Sequence, residues 1–224
     1  MNFHQQLLHQ TQAERADLIA IPIIQDALAA QIARDDYVAF LTQAYHHVRH
    51  TVPMLMACGA RLPARLEWLR TAVGEYIDEE MGHQEWILDD LQACGADREA
   101  IARSQPAHAT ELMVSYAYDT IGRGNPVGFF GMVLVLEGTS VALATRAAET
   151  IETSLGLPRT AFSYLRSHGD LDIEHVGFFE KLMDRLDDAD DQAAVVHAAR
   201  RFYRLYGDVF RGLRAPASAL RAAA

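Results

Sequence analysis

An all-α fold is predicted for this 224-residue chain from three observations. Apolar residues recur at three- and four-residue spacing almost throughout, which places them on one face of successive helices. Period-two runs rich in β-branched residues, the mark of half-buried strands, are missing. Turn signals are short and few, at Leu62-Pro63, Cys94-Gly95, Gly122 to Pro126 and Gly156-Leu157-Pro158. Phe129 to Leu136 could pass for a buried strand, but it runs on into Ala-rich helical sequence.

These breakers divide the chain into a bundle of about seven helical segments. The first spans roughly 3–32 and the second 36–60, with Pro53 inside it expected to bend the helix or remove one backbone hydrogen bond. The third, 64–93, follows Leu62-Pro63 and ends at Cys94-Gly95. The fourth, 108–122, stops at the Gly-Arg-Gly-Asn run, and the fifth, 126–155, opens with Asn125 as cap and Pro126 in its first turn. The sixth covers 159–187 and the seventh 190–213. The acids Asp187, Asp188, Asp190 and Asp191 read as a solvated turn and helix start, where carboxylates favour the positive end of the helix dipole. With no repeat, low-complexity tract or linker, residues 1–214 are expected to form a single helical domain, followed by a fraying tail at 215–224.

Lys and Arg number 20 against 30 Asp and Glu, for a net charge of −10. The basic residues are scattered among acids, so a phosphate-binding surface and a nucleic-acid partner are not expected. Only two cysteines, Cys58 and Cys94, are present, which supplies neither a disulfide framework nor a paired-thiol motif. The amino terminus lacks the basic start, apolar core and cleavage site of a signal peptide. No stretch reaches the ~18 uninterrupted apolar residues of a membrane span, and a cytoplasmic protein is expected.

The strongest chemical signal is His168-x3-Asp172-x2-His175. Steps of four and three put all three side chains on one helix face, where two nitrogen donors and one hard oxygen donor can address a single metal. A second segment carries Glu79, Glu80 and His83 at the spacing by which di-iron helix bundles present their ligands. On a helical wheel Glu79 lies about 40° to one side of His83 and Glu80 about 60° to the other, so either carboxylate could serve. Glu137 stands in an otherwise apolar stretch, Met132 to Leu136, and a buried carboxylate needs a cation or several donors. It supplies a ligand from a third helix, and the half-sites together suggest one dinuclear centre.

The segment Tyr45-His46-His47-Val48-Arg49-His50 places further polar groups on the second helix. Tyr45 and His50 are the candidates for catalytic proton transfer. Histidines in such a cluster more often serve as hydrogen-bonding groups of a pocket than as direct ligands once six ligands are accounted for. Tyr45, Tyr76, Tyr116 and Tyr118 are candidate lining residues, and Phe129, Phe130, Met132, Phe178 and Phe179 candidate apolar walls.

Four stretches together resemble the haem-oxygenase-like di-iron oxidases and oxygenases, relatives of the thiaminase-type and pyrroloquinoline-quinone-synthase-type proteins. They are Tyr45 to Pro53, Glu79-Glu80-Met81-Gly82-His83, Glu137-Gly138-Thr139-Ser140, and His168 to His175. The resemblance spans most of the chain. It implies a haem-oxygenase-like bundle and a pair of iron ions held by Glu79 or Glu80, His83, Glu137, His168, Asp172 and His175. It further implies dioxygen as co-substrate, an electron donor, and a small organic substrate of amino-acid, organic-acid or fatty-acyl type. A homodimer is also implied. One departure stands out: some members carry a Glu seven residues before the His, where this chain has Tyr76.

A thiaminase-type hydrolysis needs an activated thiol, and neither Cys58 nor Cys94 lies beside the ligand segments. Haem binding through one His would leave Glu137 and the triad unexplained. The alternatives to a di-iron oxidoreductase are a metal-free enzyme of the same fold and a non-catalytic protein that binds metal or a small molecule.

Overall fold

The computed structural model of the chain describes residues 1–214, and over residues 168–175 the backbone alone. Among the described residues every regular element is helical. The α-helices are α1 (Phe3–Gln10), α2 (Gln12–Ile19), α3 (Pro22–Leu28), α4 (Arg34–Val48), α5 (Thr51–Arg61), α6 (Glu67–Glu80), α7 (His83–Ala93), α8 (Arg98–Ala102), α9 (His108–Arg123), α10 (Phe130–Leu155), α11 (Ser163–Arg185) and α12 (Ala189–Gly212). Short 3₁₀ turns at Ala64–Leu66, Pro126–Phe129 and Arg159–Ala161 lead into α6, α10 and α11. The expected tail at 215–224 lies outside the described residues.

Three of the long helices expected from periodicity are broken, each for a local reason. The segment 3–32 becomes α1, α2 and α3. Pro22 opens α3 because it lacks an N–H and its ring would collide with the carbonyl four residues back. The segment 36–60 divides at Arg49-His50, ahead of Pro53, which for the same reason falls in the first turn of α5. The segment 64–93 divides at Met81-Gly82: Met81 is extended, with ψ of 118°, and Gly82 takes φ of 95°, a backbone that a side chain strongly disfavours. Periodicity continues through all three breaks because each new helix keeps an apolar face inward. The five-residue α8 was not expected; Asp97 caps it by accepting from the Ala100 N–H.

α10 is the central element. It packs along α11 and α12 and against α3. Pro126–Leu155 is long and apolar enough to cross a membrane by length and composition, contrary to expectation. It is nevertheless the core helix: Phe130 to Val135 and Ala144, Ala148 and Ile151 are buried in the hydrophobic core of the described residues. The contact with α12 is close enough to require glycine at Gly131, where a Cβ would come 2.5 Å from the Ala199 nitrogen and 2.8 Å from the Val195 oxygen.

α11 is set at its start by Asp90. This carboxylate is fully buried and accepts from the backbone N–H groups of Ser163 and Tyr164, each at 2.9 Å. It is a cap contributed from another helix, and burial pushes its pKa above the usual carboxylate range. Arg214, just past α12, ties that helix to α3 and α4, pairing with Asp26 at 2.5 Å and with Asp36 at 2.9 Å.

Candidate active site

A cavity of about 170 Å³ runs between α3, α4, α5, α6, α10, α11 and α12. Its walls are apolar apart from a few groups: His47, Tyr76, Glu80, Glu137 and Ser140 among them. Charged residues among the described lining are Asp36, Glu80 and Glu137, with no Arg or Lys. Carboxylates in an apolar wall cost several kcal/mol unless cations or donors meet them, so this cavity is suited to positive charge.

Glu80 and His83 flank the helix break. Glu80 ends α6, its side chain only 12% exposed, and His83 begins α7 with its side chain 2% exposed. Glu80 Oε2 lies 3.0 Å from His83 Nδ1. The imidazole is stacked on Trp86, ring centroids 4.2 Å apart. The helical-wheel relation assumed for a continuous helix therefore does not hold; the left-handed turn at Gly82 brings the two groups together instead. Glu79 is exposed and is not among the cavity's lining residues. Glu137 reaches the same cavity from α10, and Tyr76 lies one turn before Glu80 with its ring 5.4 Å from that of Phe178.

Among the described residues no three His, Cys, Asp or Glu side chains gather in a metal-holding group. The side chains of His168, Asp172 and His175 lie outside the described residues. The backbone that carries them is helical within α11, as their spacing requires, and α11 packs directly on α10, the helix of Glu137.

Tyr45 and His50, the expected catalytic pair, do not line the cavity. Tyr45 is buried with the Arg49 guanidinium 5.6 Å from its ring centroid, and His50 Nδ1 sits 3.2 Å from the Tyr118 hydroxyl. His46 turns another way, to Ser104 Oγ at 2.9 Å. The histidine of this cluster that enters the cavity is His47, edge-on to Tyr206 at 6.0 Å. α4 ends at Val48, so His50 lies past the helix whose face carries His47 into the cavity. Of the candidate walls Phe129 and Met132 line the cavity, while Phe130 and Phe179 are packed in the core. Tyr116 packs on Phe202 instead. Tyr206 and Ser140 were not anticipated; Ser140, one turn beyond Glu137 on the same helix face, is the one that spacing could have found.

Burial, with Arg49 next, holds His46 and His50 below the ordinary imidazole range. Both therefore bind protons less readily in the folded chain than in the unfolded one. The stability they contribute is complete above about pH 6.5 and is lost as pH falls through their lowered folded values. The urea midpoint should accordingly drop between about pH 7 and about pH 5, and His46→Gln should flatten that slope; an unchanged slope in the variant would contradict the assignment. Neither thiol is activated: burial pushes Cys58 up to about 12 and Cys94 up to about 11.

The fold belongs to the heme-oxygenase-like class. A Shewanella denitrificans domain of unknown function with a heme oxygenase-like fold is similar to the chain with a TM-score of 0.85 at 20% identity, covering 100% of this chain and 97% of that one. A TenA homologue from P. horikoshii is similar with a TM-score of 0.78 at 9% identity over 95% and 98%. Heme oxygenase-1 from Synechocystis, in complex with heme, gives 0.73 at 13% identity over 99% and 96%. No curated protein matches the chain in sequence. Residues 38–207 match the model of the iron-containing redox enzymes, and the chain belongs to that family.

Proposed function

We propose that the chain is a non-haem di-iron enzyme that uses dioxygen to oxidise or oxygenate a small organic substrate. The observation that carries this reading is the delivery of Glu80 and Glu137 from two different helices to one largely apolar cavity, with His83 Nδ1 3.0 Å from Glu80. Carboxylate and imidazole donors together suit iron, and an acidic cavity without Arg or Lys among its described lining suits a divalent cation. Membership of an iron-containing redox family agrees with that donor set.

Glu80, His83 and Glu137 would hold the metal from one side, and the helical triad His168, Asp172 and His175, by its spacing, from α11. Bound iron would supply the electrons and open coordination positions that dioxygen chemistry needs. The protein's own residues do the rest. The Trp86 stack fixes the plane of the His83 ring, which keeps its nitrogen aimed. Phe129, Met132 and Leu136 keep water from the reacting groups. Tyr76 brings a hydroxyl to the cavity one turn from Glu80, where it can donate to a carboxylate or to bound substrate. An external electron donor and a homodimer belong to the same proposal.

The test is a ferrous-iron titration of anaerobic metal-free protein, followed by exposure to air with near-ultraviolet and visible absorbance recorded. About two irons per chain and an absorbance change on air are expected. Absence of binding would sink the proposal and move the chain to the metal-free enzymes of this fold, with Glu80 and Glu137 as hydrogen-bonding groups.

A further inference from the structure

The net charge of −10 argues against a phosphate-binding surface, but that charge is unevenly spread. From His197 to Arg214 the chain carries five arginines and a single acid, Asp208. Four of the five, Arg200, Arg201, Arg204 and Arg211, line a second, polar cleft of about 700 Å³ between α12 and the pair α1 and α2. With His197 they fall within an arc of about 100° on α12. The other face of α12 turns Tyr206 and Phe210 to the cavity of Glu80 and Glu137, and no described lining residue is shared by the two. The ion pairs of the cleft leave positive charge over. Arg200 is matched: it donates to the Gln10 carbonyl at 2.9 Å and lies 3.4 Å from Glu14 of α2. Arg204 and Arg211 converge on one carboxylate, Asp208, at 3.3 and 2.8 Å. Gly207 gives the second of them room to fold back along the helix, since a Cβ there would come 2.9 Å from Arg211 Nη1. Arg201 makes no ion pair among the described residues. Two guanidinium charges on this wall are therefore without an acid. Across the cleft stand Gln6 and Gln10 of α1 and Asp17 of α2, groups that hydrogen-bond hydroxyls.

We infer that this cleft binds a small hydroxylated phosphate ester, its phosphoryl group on Arg201 and the Arg204–Arg211 pair and its hydroxyls toward Asp17, Gln6 and Gln10. The site is separate from the iron chemistry and does not depend on it. A guanidinium presents forked N–H donors that meet phosphate oxygens two at a time. The two unmatched charges suit the charge of about −1.5 to −2 on a phosphate monoester, whereas a monocarboxylate would leave one of them over. Asp17 sets the other half of the selectivity: it repels a bare anion and accepts from a hydroxyl, so the ligand needs a neutral polar part as well as its phosphoryl group. An extended nucleic-acid backbone is disfavoured, because its further phosphates would run from the arginines onto the acids of α2 and of the surrounding surface.

Calorimetry on the full chain with inorganic phosphate, ribose 5-phosphate and ADP tests this. At least one of the two esters should bind with a Kd below about 1 mM and more tightly than inorganic phosphate. Tighter binding of ADP assigns a nucleotide, and tighter binding of ribose 5-phosphate a sugar phosphate. Arg201→Gln and Arg204→Gln each remove one exposed guanidinium and should weaken the ester about tenfold with the helical circular dichroism of the parent retained. Asp17→Asn should strengthen inorganic phosphate while weakening the ester, a divergence that a general loss of structure would not produce. Arg103→Gln, on α8 and outside the cleft, should change nothing. Absence of heat with both esters, inorganic phosphate binding as tightly as they do, or equal weakening by Arg103→Gln and Arg201→Gln would overturn the inference. Failure of the chain to bind iron would leave it standing.

Discussion

Glu137→Ala is expected to weaken ferrous-iron binding by a hundredfold or more and to abolish oxygen-dependent turnover, with the helical circular dichroism of the parent retained. Loss of a single partner that orients a ligand typically costs ten- to a hundredfold in metal affinity, and loss of a ligand should cost no less. Glu137 comes from the middle of α10, so no neighbouring carboxylate on that helix can take its place: the next acid along it is Glu149, more than three turns away. Glu137→Gln keeps the shape and removes the charge, and should behave like the alanine variant if charge toward a metal is what matters. Iron uptake equal to the parent in both variants would remove Glu137 from the site. Glu79→Ala serves as the comparison, since that side chain is exposed and outside the cavity lining; its iron affinity should stay within about threefold of the parent.

Gly131→Ala should produce the largest loss of stability of any single methyl addition considered for this chain. The new Cβ would meet backbone atoms of α12 at 2.5 and 2.8 Å, and backbone cannot swing aside as a side chain end can. The two longest helices must separate, at a cost of about 3 kcal/mol by analogy with overpacked cores. A melting temperature lower by roughly 6 to 12 °C follows for a domain of this size. A change of under about 2 °C would mean that the helices can slide apart at little cost. Gly138→Ala, on the same helix with nothing within 4 Å of its added Cβ, should instead leave the protein as stable or slightly more so.

Much of this architecture is legible in the sequence, and what is not has definable causes. The helical class and the turns at Leu62-Pro63, Cys94-Gly95 and Gly156 follow from periodicity and breakers, because a glycine or proline acts on its own few residues. Whether a helix runs on or breaks inside an apolar repeat is decided by tertiary packing, and that is where the reading failed. Gly82 sits in a helical pattern that an isolated glycine need not interrupt, yet its left-handed backbone closes α6 and starts α7. The consequence reached the site: Glu80, not Glu79, turned into the cavity, and it met His83 across a break instead of along a face. The same reason explains the exchange of His50 for His47. Glu137 was visible because a lone carboxylate in a run of apolar residues contradicts its surroundings. Asp90 was not, because a cap donated from one helix to the start of another leaves no trace in local spacing.

The order of the helices along the chain has a consequence for biosynthesis. α10 is apolar enough to pass for a membrane segment, and the two helices that cover most of it, α11 and α12, come after it. When Leu155 leaves the ribosome, 57 residues, 156 to 212, must still emerge before the last of that cover is complete. At ordinary elongation rates this takes roughly 3 to 11 s, during which a greasy helix stands open to chaperones, to other nascent chains and to lipid. A ribosome that stalls between α10 and α12 would release a sticky fragment, so the chain is most exposed to aggregation during translation and not after it.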